Sequence, residues 1–344
     1  MLEIDGSFGE GGGQILRTSL ALSVLKREPV HIFNIRKNRP KEGLSHQHTK
    51  TISAIAELTG SNVLGNSLYS TEIKFTPKNE FKRKITIDIG TAGSIALLLQ
   101  SLMTFLQFLE NKTTVGVYGG TNVPWSPQVD YLKEVTVPTL ERMGYKIKII
   151  EVQRGYYPEG RGYVEIEVNP IKKLKSIQID KFEKSQKIDG VSYSTNLPEN
   201  VAERQKKSAR GLIFREGITP NIKLEIKKDS SNRMGSGIFL FSRDKNSIIG
   251  DGALGARGKR AEEVGEEGAR RFLEKYSSGC DHHLSDQIAP YMVLAKGRSS
   301  IFAKQTSHLE TNLSILEKFY DVKFLWEDDL LEVEGVGFHN TYID

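Results

Sequence analysis

Three short stretches of this 344-residue chain carry residue types suited to phosphate chemistry. In GSFGEGGGQILRTS, residues 6–19, five glycines and Glu10 run into a helix-like segment. Glycines ahead of a helix leave its first N–H groups free, and the helix dipole adds positive potential at the same end, so an anion can sit there. Arg17 follows Gln14 by one turn and shares its face. Glu10 has no helix to cap in the usual way; a carboxylate beside a phosphate site suits Mg²⁺, which binds through one or two carboxylates plus phosphates. The stretch is not a P-loop, because no Gly-Lys-Ser/Thr follows, and Gln14 fills the third position of a dinucleotide fingerprint. A plain strand-to-helix turn would use the same glycines; Arg17 and Glu10 tilt the reading toward an anion site.

The second stretch, RKNRPKEGLSHQH at 36–48, adds Arg36, Arg39, Gln47 and His48. Guanidinium forks match phosphate oxygens in pairs, although a charge run taken alone is usually a solvated face. GTAGSI, at 90–95, again places small residues at a helix start, and Gln100 interrupts the apolar helix that follows. That glutamine is either a core amide bonded to backbone or a polar contact on the floor of a pocket. CDHHLSD, at 280–286, pairs His282 with His283, but the spacing matches no common zinc pattern. The third stretch, QTSHLETN at 305–312, puts His308 just before a predicted helix. A lone histidine there is more often a surface residue near a cap; its sharper role is that of a neutral imidazole with a free lone pair, able to attack phosphorus.

The elements that must position these residues recur. Residues 11–26 read as a glycine-led helix, 30–36 as a strand, 44–60 as a helix closed by Gly60 and 72–77 as a strand. Strand, glycine turn and helix return over 85–109, a strand over 113–120, and a helix over 127–144 kinked at Pro138, before two paired strands around a Pro/Gly turn. A third copy runs from a helix at 284–296 through a strand at 299–305 and a helix at 309–321 to a strand at 329–337. The first two copies start roughly 80 residues apart and the last two roughly 190 apart, so about 110 residues are surplus to an even array. The surplus has its own strands and helices, including a charged helix in GKRAEEVGEEGARRFLEKYSSG. The expectation is an α/β (α+β) chain: a large domain of three helix-and-sheet repeats in 1–179 and 276–344, with a small α/β domain inserted at 180–275.

Composition bounds the rest. Charged and hydrophobic fractions of 26% and 38% are those of an ordinary globular protein. One cysteine, Cys280, excludes a disulfide framework and points to a reducing compartment, hence the cytoplasm. The most apolar run, 94–109, falls short of the ~20 residues that span a bilayer, and no signal peptide is visible, so a membrane partner is not expected. A net charge of +5 permits a polyanionic partner.

GEGGGQILRTSLALS, IRKNRPKEGLSHQH, GTAGS, HLSDQIAPYMVLA and SHLETN, in that order through nearly the whole chain, together resemble the RNA 3′-terminal phosphate cyclase family. The resemblance implies a reaction: an RNA 3′-phosphate becomes a 2′,3′-cyclic phosphate while ATP becomes AMP and pyrophosphate, through a histidine–AMP adduct that here falls on His308. It implies ATP and Mg²⁺ or Mn²⁺ as cofactors and RNA with a 3′-terminal phosphate as partner. By the same resemblance Glu10 matches the metal-binding glutamate, and Asp286 and Gln287 a pair at the nucleotide. His283 falls where relatives set a Tyr or His against adenine, with Pro127 across the base. Arg17, Arg36, Arg39, Gln47, His48 and Gln100 match polar residues for the ATP phosphates or the RNA end. Glu42 departs from the proline common before Gly-Leu and puts an acid beside the arginines. The implied fold is three repeats like the C-terminal domain of bacterial translation initiation factor three, with a thioredoxin-like small domain lacking the redox cysteines. Two other readings are a non-catalytic ribosome-assembly factor of the same fold, which lacks the nucleophilic histidine, and an RNA-binding scaffold with a fossil nucleotide pocket. The intact His308 motif favours the enzyme. Oligomeric state is left open.

Overall fold

The computed structural model describes residues 1–78, 80–183, 187–276 and 279–343. The first unit runs β1 (Leu2–Asp5), α1 (Gly13–Lys26), β2 (Val30–Phe33), α2 (His46–Thr59), β3 (Asn62–Leu64) and β4 (Ile73–Thr76). Its sheet has the order β1-β2-β4-β3, with β1 and β2 parallel and the other pairs antiparallel. The predicted strand over 30–36 stops at Phe33, because Asn34 and Arg36 turn the chain through positive φ (52° and 56°). The short β3 was not expected from sequence; three residues with little burial leave no alternating pattern to read. α2 begins on Ser45, which forms a capping box with His48, and ends on Gly60 at φ 66°.

The second unit has β5 (Lys84–Asp88), α3 (Ile95–Leu106), β6 (Thr113–Gly119), α4 (Val129–Tyr131), a π-turn over Leu132–Thr136, α5 (Val137–Arg142), β7 (Lys146–Gln153) and β8 (Gly162–Asn169). Its sheet order is β5-β6-β8-β7, again with a parallel first pair and antiparallel others. The distortion expected at Pro138 is a π-turn just before it. Proline lacks the N–H for the helical bond and its ring crowds the carbonyl four residues back, so the turn widens there.

β9 (Gln178–Ile179) opens a third sheet, and the chain then leaves it. β10 (Asp189–Thr195), α6 (Asn200–Phe214), β11 (Asn221–Lys227), β12 (Gly235–Arg243), β13 (Ile248–Leu254) and α7 (Ala261–Glu274) form a separate sheet, β11-β10-β12-β13, with α6 and α7 packed together on it. α7 is the expected charged helix; the residues 277–278 of that prediction lie outside the described residues. This sheet has its own apolar core around Ile213, Ile238, Leu240, Val264 and Phe272. The chain returns with α8 (His282–Leu294), β14 (Lys296–Phe302), α9 (Ser307–Phe319), β15 (Phe324–Glu327) and β16 (Leu330–Val336), completing the order β9-β14-β16-β15. β9 and β14 are parallel, and the other pairs antiparallel.

Helices from the three units pack on one another: α1 on α2, α3 and α9, and α8 on α3 and α9. α1 is buried from Ile15 through Val24 apart from Arg17, as a helix enclosed by other helices must be. Among the described residues no helix is long and apolar enough to cross a membrane.

Candidate active site

The loop between β1 and α1 is tied down at its start by Asp5, whose Oδ1 accepts from Ser7 N (2.9 Å) and Ser7 Oγ (2.7 Å). Gly9 then takes a φ of +56°, and a side chain there would overlap the Thr311 hydroxyl. That close approach lays Glu10 across the head of α9. Glu10 Oε1 accepts from Ser307 Oγ (2.8 Å), and Oε2 lies 2.8 Å from His308 Nε2 and 3.4 Å from Arg39 Nη2. His308 is half-exposed on the first turn of α9, which Thr306 caps by accepting from Leu309 N.

The start of α1 has no side-chain cap: Gly12 is extended and offers no acceptor to the first N–H groups. Arg39 Nη2 would be 3.4 Å from a Cβ at Gly12, while a Cβ at Gly13 would overlap His48 Nε2 and Arg17 Nη1. Free amides, the dipole end and two guanidinium groups therefore meet in one cationic cluster at Gly12–Gly13. Burial pushes the Arg17 guanidinium down to about 10, with Asp286 acting the other way. Burial, then Arg17 and Arg36, push His48 down to about 3, so its ring is neutral at pH 7. Because Ser45 N–H donates to His48 Nδ1 (3.2 Å), the proton of the neutral ring sits on Nε2, the nitrogen beside Gly13. His48 thus brings an N–H donor to the Gly13 side of the cluster, not a charge.

Arg36 stands behind this group and donates to Gly43 O (3.1 Å), while Glu42 is exposed. Gln47 pairs with the Ser94 backbone: Nε2 donates to Ser94 O and Oε1 accepts from Ser94 N, both at 3.3 Å. It ties the start of α2 to the start of α3. Gln100 lies half-buried in α3; its neighbour Ser101 donates to Arg17 O (3.1 Å), which seats α3 against α1.

Across the helix layer, Asp281 caps α8 by accepting from His283 N (2.9 Å) and Leu284 N (3.3 Å), and it accepts from Tyr131 Oη (2.8 Å). The His283 ring meets Tyr131 edge-on at 5.6 Å and lies 3.9 Å from the His282 ring. Burial pushes His283 down to about 4. Pro127 is half-buried, four residues before Tyr131. A cavity of about 610 Å³ is lined by Asp251, Glu274, Lys275, His282, His283, Lys304 and Thr306, the last being the cap of the His308 helix. Its size suits a small organic ligand. Gln287 accepts from Thr136 Oγ1 (2.6 Å) through Oε1.

The two halves are joined by a residue given no separate role from sequence. Buried Asn312 accepts from Thr18 Oγ1 (2.8 Å) on α1 and donates to Asp286 O (2.8 Å) on α8. Its signal was its place in the SHLETN stretch, one turn after His308. Ser307 and Thr311 belong to the same stretch; their contacts with Glu10 span about three hundred residues of chain, which no local pattern encodes.

Asp286 carries the clearest electrostatic strain. Burial and then Glu10 raise its carboxyl from 3.8 to about 7 against the pull of Arg17, and its buried Oδ1 has no hydrogen-bond partner. A raised value means that the folded chain holds this proton more tightly than the unfolded one. The group's stabilising contribution is then full below about pH 4 and is lost as pH rises through about 7. Asp286→Asn keeps the neutral shape and should stabilise the ligand-free protein at pH 8 by about 2 kcal/mol, with almost no effect at pH 4. Urea melts at the two pH values measure this, and equal midpoints at pH 8 would contradict it.

The family profile described as RNA 3′-terminal phosphate cyclase matches residues 8–325. Curated proteins named RNA 3′-terminal phosphate cyclase align over nearly their whole length. That of Pyrobaculum aerophilum is 42% identical over 98% of this chain and 99% of its own. That of Ignicoccus hospitalis is 45% identical over 93% and 92%, and that of Sulfolobus acidocaldarius 43% over 94% and 96%.

Proposed function

Because this chain belongs to the RNA 3′-terminal phosphate cyclase family and is an enzyme of that kind, we propose that it closes an RNA 3′-phosphate onto the neighbouring 2′-oxygen by way of a covalent AMP adduct on His308. The observation that carries this reading is the 2.8 Å contact between His308 Nε2 and Glu10 Oε2, at the point where the glycine loop crosses the head of α9.

Three transfers make up the reaction. A lone pair of the His308 ring attacks the α-phosphorus of ATP, a P–N bond forms and pyrophosphate leaves. Attack turns the ring cationic, and a carboxylate already within hydrogen-bond reach stabilises that charge. An oxygen of the RNA 3′-phosphate then attacks the same phosphorus, the P–N bond breaks, and an RNA(3′)pp(5′)A anhydride forms. Finally the 2′-OH attacks the 3′-phosphorus and AMP leaves. The last step joins groups already on one ribose, so little further ordering is required.

The residues divide by chemistry. The cavity along His282, His283 and Lys304 receives the nucleoside of ATP and leads its phosphates to His308. Arg17, Arg39, the His48 Nε2–H and the free amides of α1 hold a phosphate at Gly12–Gly13, with Arg36 behind them. Glu10 and the unpartnered Asp286 Oδ1 fit a Mg²⁺ or Mn²⁺ ion. A cation of this kind is held by one or two carboxylates together with substrate phosphates. Such an ion supplies charge neutralisation for the phosphates. We read the three sheets of like connectivity as repeats in 1–179 and 276–344, and 180–275 as an inserted thioredoxin-like domain.

Intact-mass measurement after incubation with ATP and Mg²⁺ tests the reading: the protein should gain one AMP, lost in acid and stable in base. Absence of the adduct at saturating ATP would refute it. Glu10→Ala should lower the rate of adduct formation by about 10²-fold or more, the scale of losing a charge aimed at the reacting group, while 3′-phosphorylated RNA still binds. Equal loss of both would make Glu10 a structural residue.

A further inference from the structure

Trp125 is 87% exposed and sits at a φ of +66°, a backbone region that bulky residues rarely occupy. A large apolar ring presented to water by a strained backbone points to a use for the ring. Tyr157, 58% exposed, stands perpendicular to it at 6.0 Å between centroids, so the pair presents one ring face braced by the other. The two rings rim a cavity of about 310 Å³ whose lining contains no charged residue. Gln47 and Ser94 form its inner wall, locked together by their paired hydrogen bonds. Ser126 lines it as well, and its buried Oγ has no hydrogen-bond partner.

Gln47 is adjacent to His48, which packs against Gly13 in the cationic cluster. Consecutive residues at the start of α2 therefore contribute one to the neutral aromatic cavity and the other to the cationic cluster. That division matches the two parts of a single-stranded nucleic acid: cationic groups and free amides take phosphate, while aromatic faces take bases, with little regard to sequence because every base has a π-face. We propose that Trp125, braced by Tyr157, is a stacking platform for a nucleobase at the 3′ end of the RNA whose terminal phosphate is held by the Gly12–Gly13 cluster. The proposal rests on the reading of that cluster as the RNA-end phosphate site. The ring pair is too close to admit a base between its members, so the base lies on the open face of Trp125.

The test uses the full chain and a short oligoribonucleotide with a 3′-phosphate. Trp125→Ala should raise the KM for cyclisation of the RNA by roughly ten- to a hundredfold, the range that loss of one base–aromatic stack produces. Its kcat and the yield of AMP adduct from ATP alone should hold, and Trp125→Phe should recover most of the loss. An oligonucleotide abasic at its last two positions should lose as much on the unaltered protein and nothing further on Trp125→Ala. An unchanged KM in the folded alanine variant overturns the proposal. An equal loss in Trp125→Phe also overturns it, since that points to loop structure, not stacking.

A second readout separates this proposal from the reaction on which it rests. The chain has two tryptophans. In Trp326→Phe protein the emission of Trp125 should be quenched by the 3′-phosphorylated RNA without ATP. Quenching in a protein that forms no AMP adduct would sink the reaction and support the platform; adduct formation without quenching would do the reverse.

Discussion

Replacing His308 with alanine is expected to remove all AMP labelling and to cut RNA cyclisation by on the order of 10⁴–10⁶-fold, the scale of deleting a covalent nucleophile. The fold should not notice. The side chain is 52% exposed, and the carboxylate it meets, Glu10, keeps Ser307 and Arg39. The start of α9 is capped by Thr306 and not by His308. Stability should therefore stay within about 0.5 kcal/mol, as for surface substitutions away from caps and cores. His308→Gln sharpens the point: it restores a hydrogen-bonding group beside Glu10 but no nucleophilic lone pair, so it should be as inactive as alanine. Adduct detected on either variant would move the nucleophile elsewhere and separate the Glu10 contact from catalysis.

Asp130→Ala should cost about 3–5 kcal/mol of stability, the range for stranding a buried charge. Arg154 is 5% exposed, and Asp130 meets it through two bonds of 2.7 and 2.8 Å. The same guanidinium reaches Glu225 on β11 (2.9 Å) and lies 3.7 Å over the Tyr193 ring on β10. Burial alone would raise the Asp130 carboxyl, and Arg154 overcomes it to hold the group below its ordinary value. Without Asp130, Glu225 at the rim is the remaining carboxylate for a cation enclosed between α4 and the β10–β11 sheet. Urea unfolding at pH 7 measures the loss; a change under 1 kcal/mol would mean that water reaches Arg154. The contact joins the second unit to the segment that follows β9, so its removal should also raise the rate of protease cleavage around β11.

Much of the site could be read from sequence because its parts are local. A glycine-led helix start is encoded in a few residues, and the glycines at 9 and 11–13 mark where α1 begins. Gly60 marks the end of α2 for the same reason: a left-handed residue without a Cβ closes a helix cheaply. Periodicity found the long helices and the paired strands β7 and β8. It missed β1, β3, β9 and β15, which have four, three, two and four residues and are too short to carry a pattern.

Residue types alone could nominate Glu10, Arg17, Arg39, His48 and His308 for phosphate work, since charge, lone pairs and free amides are properties of the chain wherever it lies. What they could not supply is which of them meet. Glu10 reaches His308 because Gly9 passes close to Thr311, and Asn312 bridges Thr18 to Asp286 because α1, α8 and α9 share one packed layer. Gln47, nominated for an anion, is spent on Ser94, and Trp125 and Tyr157 drew no notice until folding set their rings on one rim. Local backbone preference acts over a few residues, whereas packing chooses partners hundreds of residues apart; the chemistry on offer belongs to the first, and its arrangement belongs to the second.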